Sequence, residues 1–348
     1  MKYCSRCLNP DTRPDLSFNS EGVCDACISA KKKEKIDWGV RGKELDEILN
    51  RYRKNNGQYD CIIPVSGGKD STFQVIKILE KGMHPLAVTF AQCGVTPEGQ
   101  QNLDNIAELG VDHIIIRPNR KIYKQLFRES FKKLGDPCWP CHVGIFTVPI
   151  KVAVQYNIPL IIWGENSQME YGGPAKARES NVLDTNWLSE FGGMQGMRVE
   201  DWAKHGIPVK DLYWYVYPND DDIKRVGVTG LFLGYYHKWD AREQLKIVDQ
   251  YGFKRLPYRK RGAKLDYENV DCKFVDFHDH LMWLKYGFGR TTTQANIDIR
   301  NKRLSKEMAQ LQVDMWDGEK PNLEEFSEFT GLSTKEVEDV FKKFSRDN

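Results

Sequence analysis

The sequence has almost no net charge: Lys and Arg total 51 against 49 Asp and Glu in 348 residues. That balance supplies no general cationic surface for nucleic acid or for an anionic membrane. Lys31-Lys32-Lys33 and Arg259-Lys260-Arg261 are short and read as solvated faces. No apolar stretch reaches the length of a membrane span. The first residues hold cysteines where an export signal would have its apolar segment, which points to the cytoplasm. No internal repeat or low-complexity tract occurs. Apolar and charged residues, 40% and 29%, are in ordinary soluble proportion, and the length suffices for more than one domain. Cysteine is not scarce. Nine of them, an odd number with CxxC spacings, suit metal sites in a reducing compartment better than disulfides.

The densest signal is Ser66-Gly67-Gly68-Lys69-Asp70-Ser71. It follows Cys61-Ile62-Ile63-Pro64-Val65, an apolar run that reads as a buried strand. It precedes Thr72–Leu79, whose apolar residues recur at helical spacing. A strand, a glycine turn and a helix start make a phosphate cradle. Glycine admits backbone conformations and close approaches that a Cβ blocks. The free N–H groups and the dipole of the helix favour an anion. Ser66 and Ser71 add hydroxyl donors and Lys69 a positive charge. Asp70 beside phosphate makes sense with a Mg²⁺ between them. The adjacent glycines exclude a Walker loop, which needs four residues between its first glycine and the Gly-Lys pair. The string instead resembles the SGGxDS signature of the PP-loop ATP pyrophosphatases, which split ATP into AMP and pyrophosphate.

Cys4-Ser5-Arg6-Cys7 and Cys24-Asp25-Ala26-Cys27 make a C-x2-C, x16, C-x2-C pattern. That spacing suits a four-thiolate Zn²⁺ site, structural because no open position remains. The polar, turn-rich segment between the pairs has no core of its own, so metal would supply its folding energy. A third CxxC, Cys138-Trp139-Pro140-Cys141-His142, has Cys272 as a distant third candidate ligand, with His278 and His280 near it. This set is open between a second Zn²⁺, an iron–sulfur cluster held by three thiolates, a redox pair and buried free thiols. Cys61 and Cys93 sit in apolar contexts and read as core.

From residue 58 strand and helix patterns alternate. Strands are expected at 60–65, 85–90, 113–117 and 159–164, with a further one in Gly230–Tyr236; helices fall near 71–81, 99–109, 121–134 and 144–156. Near-continuous apolar strands separated by helices indicate an α/β parallel sheet covered on both faces. Ligands of such sheets sit beyond the carboxyl ends of the strands. The glycine loop and Glu165-Asn166 both fall there. Glu165 is a candidate to hold Mg²⁺ or orient a nucleophile, and Asn166 to bond the reacting group; a plain turn with a capping Asn is the competing reading. Residues 168–228, rich in glycine and aromatics, read as a functional insertion in which Glu170 and Arg178 are placed to meet an anionic substrate. His278-Asp279-His280 reads either as a metal pair or as a helix start. Tyr286–Thr293 reads as a ligand loop, with Arg290 its anion contact. The chain from about 240 is mainly helical.

Taken in order, Tyr3–Cys7, Val65–Ser71, Cys138–His142, Trp163–Asn166, Cys272 and Tyr286–Arg290 resemble the N-acetyl sugar amidotransferase family of bacterial surface-glycan biosynthesis, within the PP-loop superfamily. The resemblance implies a HUP-like PP-loop ATP pyrophosphatase domain at 58–240. Before it come a zinc-ribbon-like module at 1–30 and a helical connection at 31–57, and after it a helical region at 241–348. It implies ATP and Mg²⁺ held by Ser66, Gly67, Gly68, Lys69, Asp70 and Ser71, with Lys69, Asp70, Glu165 and Asn166 catalytic. It further implies a nucleotide-activated diacetamido sugar as substrate. Ammonia would come from separate glutaminase and cyclase-like subunits similar to those of histidine biosynthesis, since this chain has no convincing glutaminase of its own. The competing expectation is a tRNA-thiolating PP-loop enzyme, which shares the loop, the zinc knuckles and the three-cysteine pattern; a non-catalytic, nucleotide-sensing scaffold is a third.

Overall fold

The computed structural model describes residues 1–165, 167–172, 182–183 and 194–347, with the backbone alone at 168, 169, 182 and 183. Two helices, α1 (Asp25–Lys33) and α2 (Trp38–Tyr52), precede the sheet domain. There the order is β1 (Cys61–Pro64), α3 (Lys69–Glu80), β2 (Pro85–Phe90), α4 (Pro97–Glu108), β3 (Asp112–Ile116), α5 (Arg120–Leu134), α6 (Trp139–Tyr156) and β4 (Leu160–Trp163). It continues with α7 (Ser167–Tyr171), β5 (Val182–Leu183), α8 (Asp220–Val226), β6 (Thr229–Phe232), α9 (Leu233–Tyr236) and α10 (Ala241–Val248). The last helices are α11 (Val275–Tyr286), α12 (Arg290–Arg300), α13 (Lys306–Trp316), α14 (Leu323–Thr330) and α15 (Thr334–Phe344).

The strands lie in the order β3-β2-β1-β4-β6-β5. The first five are parallel, and the short β5 pairs antiparallel on the edge. Side chains alternate between the faces, as a strand requires. Ile62 enters the core beneath α5 and α6, whereas Cys61 and Ile63 enter the one under α3 and α4. This is the expected α/β parallel sheet with helices on both faces, and it has one consequence for function. The order reverses between β1 and β4, so the loops after these two strands diverge and open a crevice at their carboxyl ends.

The helical C-terminal region shares the core of the sheet domain. Phe326 on α14 stacks on Phe277 of α11 with centroids 3.9 Å apart, and on Phe131 of α5 at 4.8 Å. The N-terminal module docks on the same region: Leu8 packs with Ala295 and Ala309, and its N–H donates to Asn296 Oδ1 at 2.7 Å. Two expectations change. The run Gly230–Tyr236 is not one strand, because β6 ends at Phe232 and α9 starts there. Nor is Tyr286–Thr293 a ligand loop: α11 ends at Gly287 in the left-handed region, and α12 begins after Gly289.

Candidate active site at the strand ends

The glycine loop leaves β1 at the crevice. Gly67 has φ +86°, and a Cβ there would lie 2.6 Å from the Gly99 carbonyl oxygen, so this position requires glycine. Gly68 is the N-cap of α3 and has an extended backbone. It has no side chain to cap the helix, so the first-turn N–H groups face the crevice without an internal competitor for an anion. Hydroxyls brace the turn: Ser66 Oγ accepts from Gly68 N–H at 3.3 Å, and Ser71 Oγ accepts from Ser66 N–H at 3.3 Å. The Ser71 and Thr72 hydroxyls donate to the Gly68 carbonyl at 3.0 and 3.1 Å. These residues fit a polyphosphate: a bare helix start, a cradle that a Cβ would fill, and a cation.

That cation is Lys69, buried at 5% exposure. Its ammonium donates to both Asp70 carboxylate oxygens at 2.8 and 2.7 Å. Burial pulls its pKa down, but the charges of Asp70, Glu268 and Glu165 outweigh this and hold it above the ordinary lysine value. Glu165, at the end of β4, faces the same space. Burial first and the Asp70 charge second push its carboxyl up to about 7. Gly164 lets α3 approach, since a Cβ there would meet Gln74 Nε2 at 2.6 Å. Asn166 and Arg178 lie outside the described residues.

The C-terminal region closes the site with acids that the motif search passed over. Segment 268–272 crosses the strand ends, and Gln92 Nε2, just past β2, donates to the Asp271 carbonyl at 2.8 Å. A Cβ on Gly99 would lie 2.6 Å from Asp271 Cα. Burial raises Asp271 to about 6. Glu268 acts on Lys69, Tyr171 and Arg290. The only trace of this in the sequence is an acidic run just before Cys272. Asp70, Glu165, Glu268 and Asp271 do not form a preformed cage, since among the described residues they are no group of donors within 4.8 Å of one another. That suits Mg²⁺, which binds through one or two carboxylates with phosphates and water.

Arg290 is not the open anion contact expected. Its guanidinium binds Asp279 through Nε at 3.1 Å and Nη2 at 2.8 Å. The start of α12 is closed by Asp317, which accepts from Gly289 N–H at 2.8 Å and Thr292 N–H at 3.3 Å. Glu170 is taken by Lys33. A cation without a carboxylate partner among the described residues is Arg13 of the N-terminal module. It lies over the rings of Phe288 at 4.8 Å and Tyr171 at 5.7 Å. Among the described residues its hydrogen bonds go to Asn9 and Thr293 and to no carboxylate. Burial, with Arg300 next, lowers it to about 10. Beside it a cavity of about 400 Å³ is lined by Trp38, Trp239, Lys33, Lys238 and Arg300. The Arg300 Nη1 is buried without a hydrogen-bond partner among the described residues. Trp239 backs onto Gly164 and Gly234, next to Glu165, so the cavity adjoins the crevice.

The four N-terminal cysteines converge. Their sulfurs all lie within 4.8 Å of one another, buried. Cys7 and Cys24 sulfurs are 3.7 Å apart; two thiolates on one tetrahedral Zn²⁺ stand about 3.8 Å apart. Cys24 N–H donates to Cys4 Sγ at 3.2 Å, the outer-shell support that thiolate ligands use. The donor set fits Zn²⁺. Cys138, Cys141 and Cys272 are not brought together in this way: no group within 4.8 Å contains the three thiols, and Cys138 instead joins Asp136 and His278. Cys141 turns to Gln92 Oε1 at 3.7 Å. His278 and His280, two apart on one helix, diverge: His278 reaches Asp136, while His280 packs on Trp283 and Phe341. They are therefore no metal pair. Cys61 is core as expected, and Cys93 is half-buried.

Residues 247–348 match the family described as "LPS biosynthesis protein WbpG-like, C-terminal domain". An uncharacterized protein of Methanocaldococcus jannaschii is 29% identical over 164 residues, 46% of this chain; the chain spans 58% of that relative's length. Among solved structures, the NMN synthetase of Francisella tularensis aligns at 14% identity with a TM-score of 0.28, over 60% of this chain and 97% of that one. The NH3-dependent NAD synthetase of Campylobacter jejuni aligns at 13% and 0.31, over 64% and 100%. A predicted subunit of tRNA methyltransferase from M. jannaschii aligns at 14% and 0.31, over 64% and 85%. At these scores the likenesses carry no argument about activity. No helix among the described residues is long and apolar enough to cross a membrane.

Proposed function

We propose, from the match of residues 247–348 to the WbpG-like C-terminal domain of LPS biosynthesis proteins, that this chain is an ATP-dependent amidotransferase. It converts an acetamido group of a nucleotide-activated diacetamido sugar into an acetamidino group, for a surface polysaccharide such as O-antigen. The observation that carries this reading is the uncapped Gly67-Gly68 cradle with Lys69 and Asp70, set at the sheet's switch point opposite Glu165.

An acetamide is a poor electrophile, and its oxygen is a poor leaving group. Its oxygen attacks the α-phosphorus of ATP, the bond to the β-phosphate oxygen breaks, and pyrophosphate leaves. The resulting O-adenylyl imidate has AMP as its leaving group. Ammonia adds to the carbon, the C–O bond breaks, AMP departs, and loss of a proton leaves the amidine. Lys69 and the first-turn N–H groups of α3 stabilise charge growing on the pyrophosphate. Mg²⁺, when bound through Asp70 with Glu165 near, supplies further charge neutralisation on the phosphate oxygens. Glu165, with its carboxyl raised to about 7, is suited to accept a proton from the incoming ammonia. The cavity beside Trp239, where Lys33 and Lys302 are paired with Glu170 and Glu34 but Lys238 and Arg300 have no carboxylate partner among the described residues, supports, together with Arg13, an anionic sugar nucleotide as the second substrate. Ammonia would come from separate glutaminase and cyclase-like partners.

The test incubates the protein with ATP, Mg²⁺, ammonium and UDP- or CMP-linked diacetamido sugars. The expected result is AMP and pyrophosphate with a sugar about one mass unit lighter, as replacing oxygen by NH requires. An unchanged sugar together with sulfur transfer to tRNA by anaerobically prepared protein would replace this reading with thiolation.

A further inference from the structure

We propose that Asp136, Cys138 and His278 form a second metal site, with His142 beside it, that ties the α5–α6 corner to the C-terminal helices. The three donors are of different chemistry, two from the α5–α6 turn and one from α11, and one ligand atom of each lies within 4.8 Å of the others. The corner is built to aim them. Gly135 ends α5 at φ +58°, and a Cβ there would meet Phe344 at 2.6 Å and Lys285 at 2.8 Å. The turn is thus held by the C-terminal helices themselves, and Lys285 Nζ also donates to the Leu134 carbonyl at 2.6 Å. The turn sends Asp136 inward, where it is 5% exposed. Cys138 is the N-cap of α6, and His142 follows it one helical turn later on the same face, its N–H donating to the Cys138 carbonyl at 2.9 Å. His278 comes from α11, and its ring centroid is 6.0 Å from that of His142.

The spacings suit shared coordination. Asp136 Oδ2 and His278 Nδ1 are 3.0 Å apart; an oxygen and a nitrogen on one tetrahedral Zn²⁺ stand about 3.3 Å apart. The other polar contacts of Asp136 are those of a positioned ligand: Oδ1 accepts from Cys138 N–H at 2.9 Å, and Oδ2 from Gln195 Nε2 at 2.6 Å. Such outer hydrogen bonds fix a carboxylate ligand. One carboxylate and one thiolate offset the charge of a divalent cation, and a neutral imidazole adds the third donor. The mixed set selects Zn²⁺ or a neighbouring first-row ion, whereas an iron–sulfur cluster requires thiolates throughout most of its ligand set.

The experiment counts Zn²⁺ in the full-length protein by native mass spectrometry after equilibration with Zn²⁺. Wild type is expected to hold two ions, His278→Ala one, and Cys272→Ala two. X-ray absorption at the zinc edge of wild type, which needs no variant, should give a mixed shell of sulfur and nitrogen or oxygen rather than an all-sulfur shell. One ion in wild type, or two in His278→Ala, overturns the site. So does loss of the second ion in Cys272→Ala with retention in His278→Ala, which would return it to the three thiols. The count is independent of the sugar reaction, so its failure leaves the proposed function standing.

Discussion

The two cysteine-rich regions began as similar patterns and ended differently. In the N-terminal module, two CxxC turns sixteen residues apart supply all four donors, and the fold brings those four sulfurs together. At the α5–α6 corner one CxxC was expected to take its third ligand from Cys272. The fold instead sends Cys141 toward Gln92 and leaves Cys138 with Asp136 and His278. A CxxC turn fixes its own two sulfurs, but a ligand 130 residues away is chosen by how the C-terminal helices dock. Here the docking is set by aromatic packing of Phe131, Phe277 and Phe326, and it brings His278, not Cys272, within ligand distance of Asp136 and Cys138.

The comparison is sharpened first by removing metal from the module. Its core is little more than the four cysteines with Val23 and Ala26, and structural zinc supplies on the order of 10 kcal/mol in such modules. Chelation, or Cys24→Ser, should therefore unfold residues 1–30, seen as rapid proteolysis there while the sheet domain stays intact. A protease-resistant module without metal would remove the structural role. Next comes chemistry. Asp70→Ala should lower pyrophosphate release at least about 100-fold, and should also lower the unfolding temperature, because it leaves the buried Lys69 ammonium without its paired carboxylate. Release near the wild-type rate would dismiss Asp70 from the reaction.

Smaller effects separate the two loop glycines. Gly67→Ala forces a left-handed backbone and a clash with Gly99, at a cost of about 1–3 kcal/mol in urea unfolding. Gly68→Ala should cost under about 1 kcal/mol, since its backbone is extended and the nearest atom, Ser66 Oγ, is 3.4 Å from the added Cβ. Equal losses would contradict this division. The smallest effect is one of pH. Glu165 has its folded-state pKa raised from 4.5 to about 7, so the fold prefers the protonated carboxyl. Its favourable contribution is complete below pH 4.5 and is lost as pH rises through 7. Glu165→Gln should therefore be more stable than wild type at pH 8, with the gap closing at pH 4.5. A gap that does not change with pH would mean that Glu165 titrates normally.

Much of the sheet domain was legible because its signals are local. Apolar runs bounded by Gly, Pro or Asn placed β1 to β4 within a residue or two, and the glycine loop announced the phosphate cradle. Capping side chains at helix starts, the carboxylate of Asp37, the hydroxyl of Thr96 and the amide of Asn119, also act on their own next turn. Reach from a distance was not legible. Arg290 reads as an anion contact in the sequence, yet Asp279 binds it, and in the segment that reads as a ligand loop Asp317 closes the start of α12. Glu268 and Arg13 carried no motif, yet both stand at the crevice.

The sequence by itself determined the phosphate loop, the four-thiolate module and the alternation of strand and helix. Each depends on residues a few positions apart, whose geometry the backbone imposes directly. Tertiary structure alone decided which acids surround Lys69, which arginine is left without a carboxylate, and which side chains meet at Asp136. Those outcomes follow from the packing of apolar faces between helices far apart in the chain, and that packing, rather than spacing along the chain, sets the distances between charges.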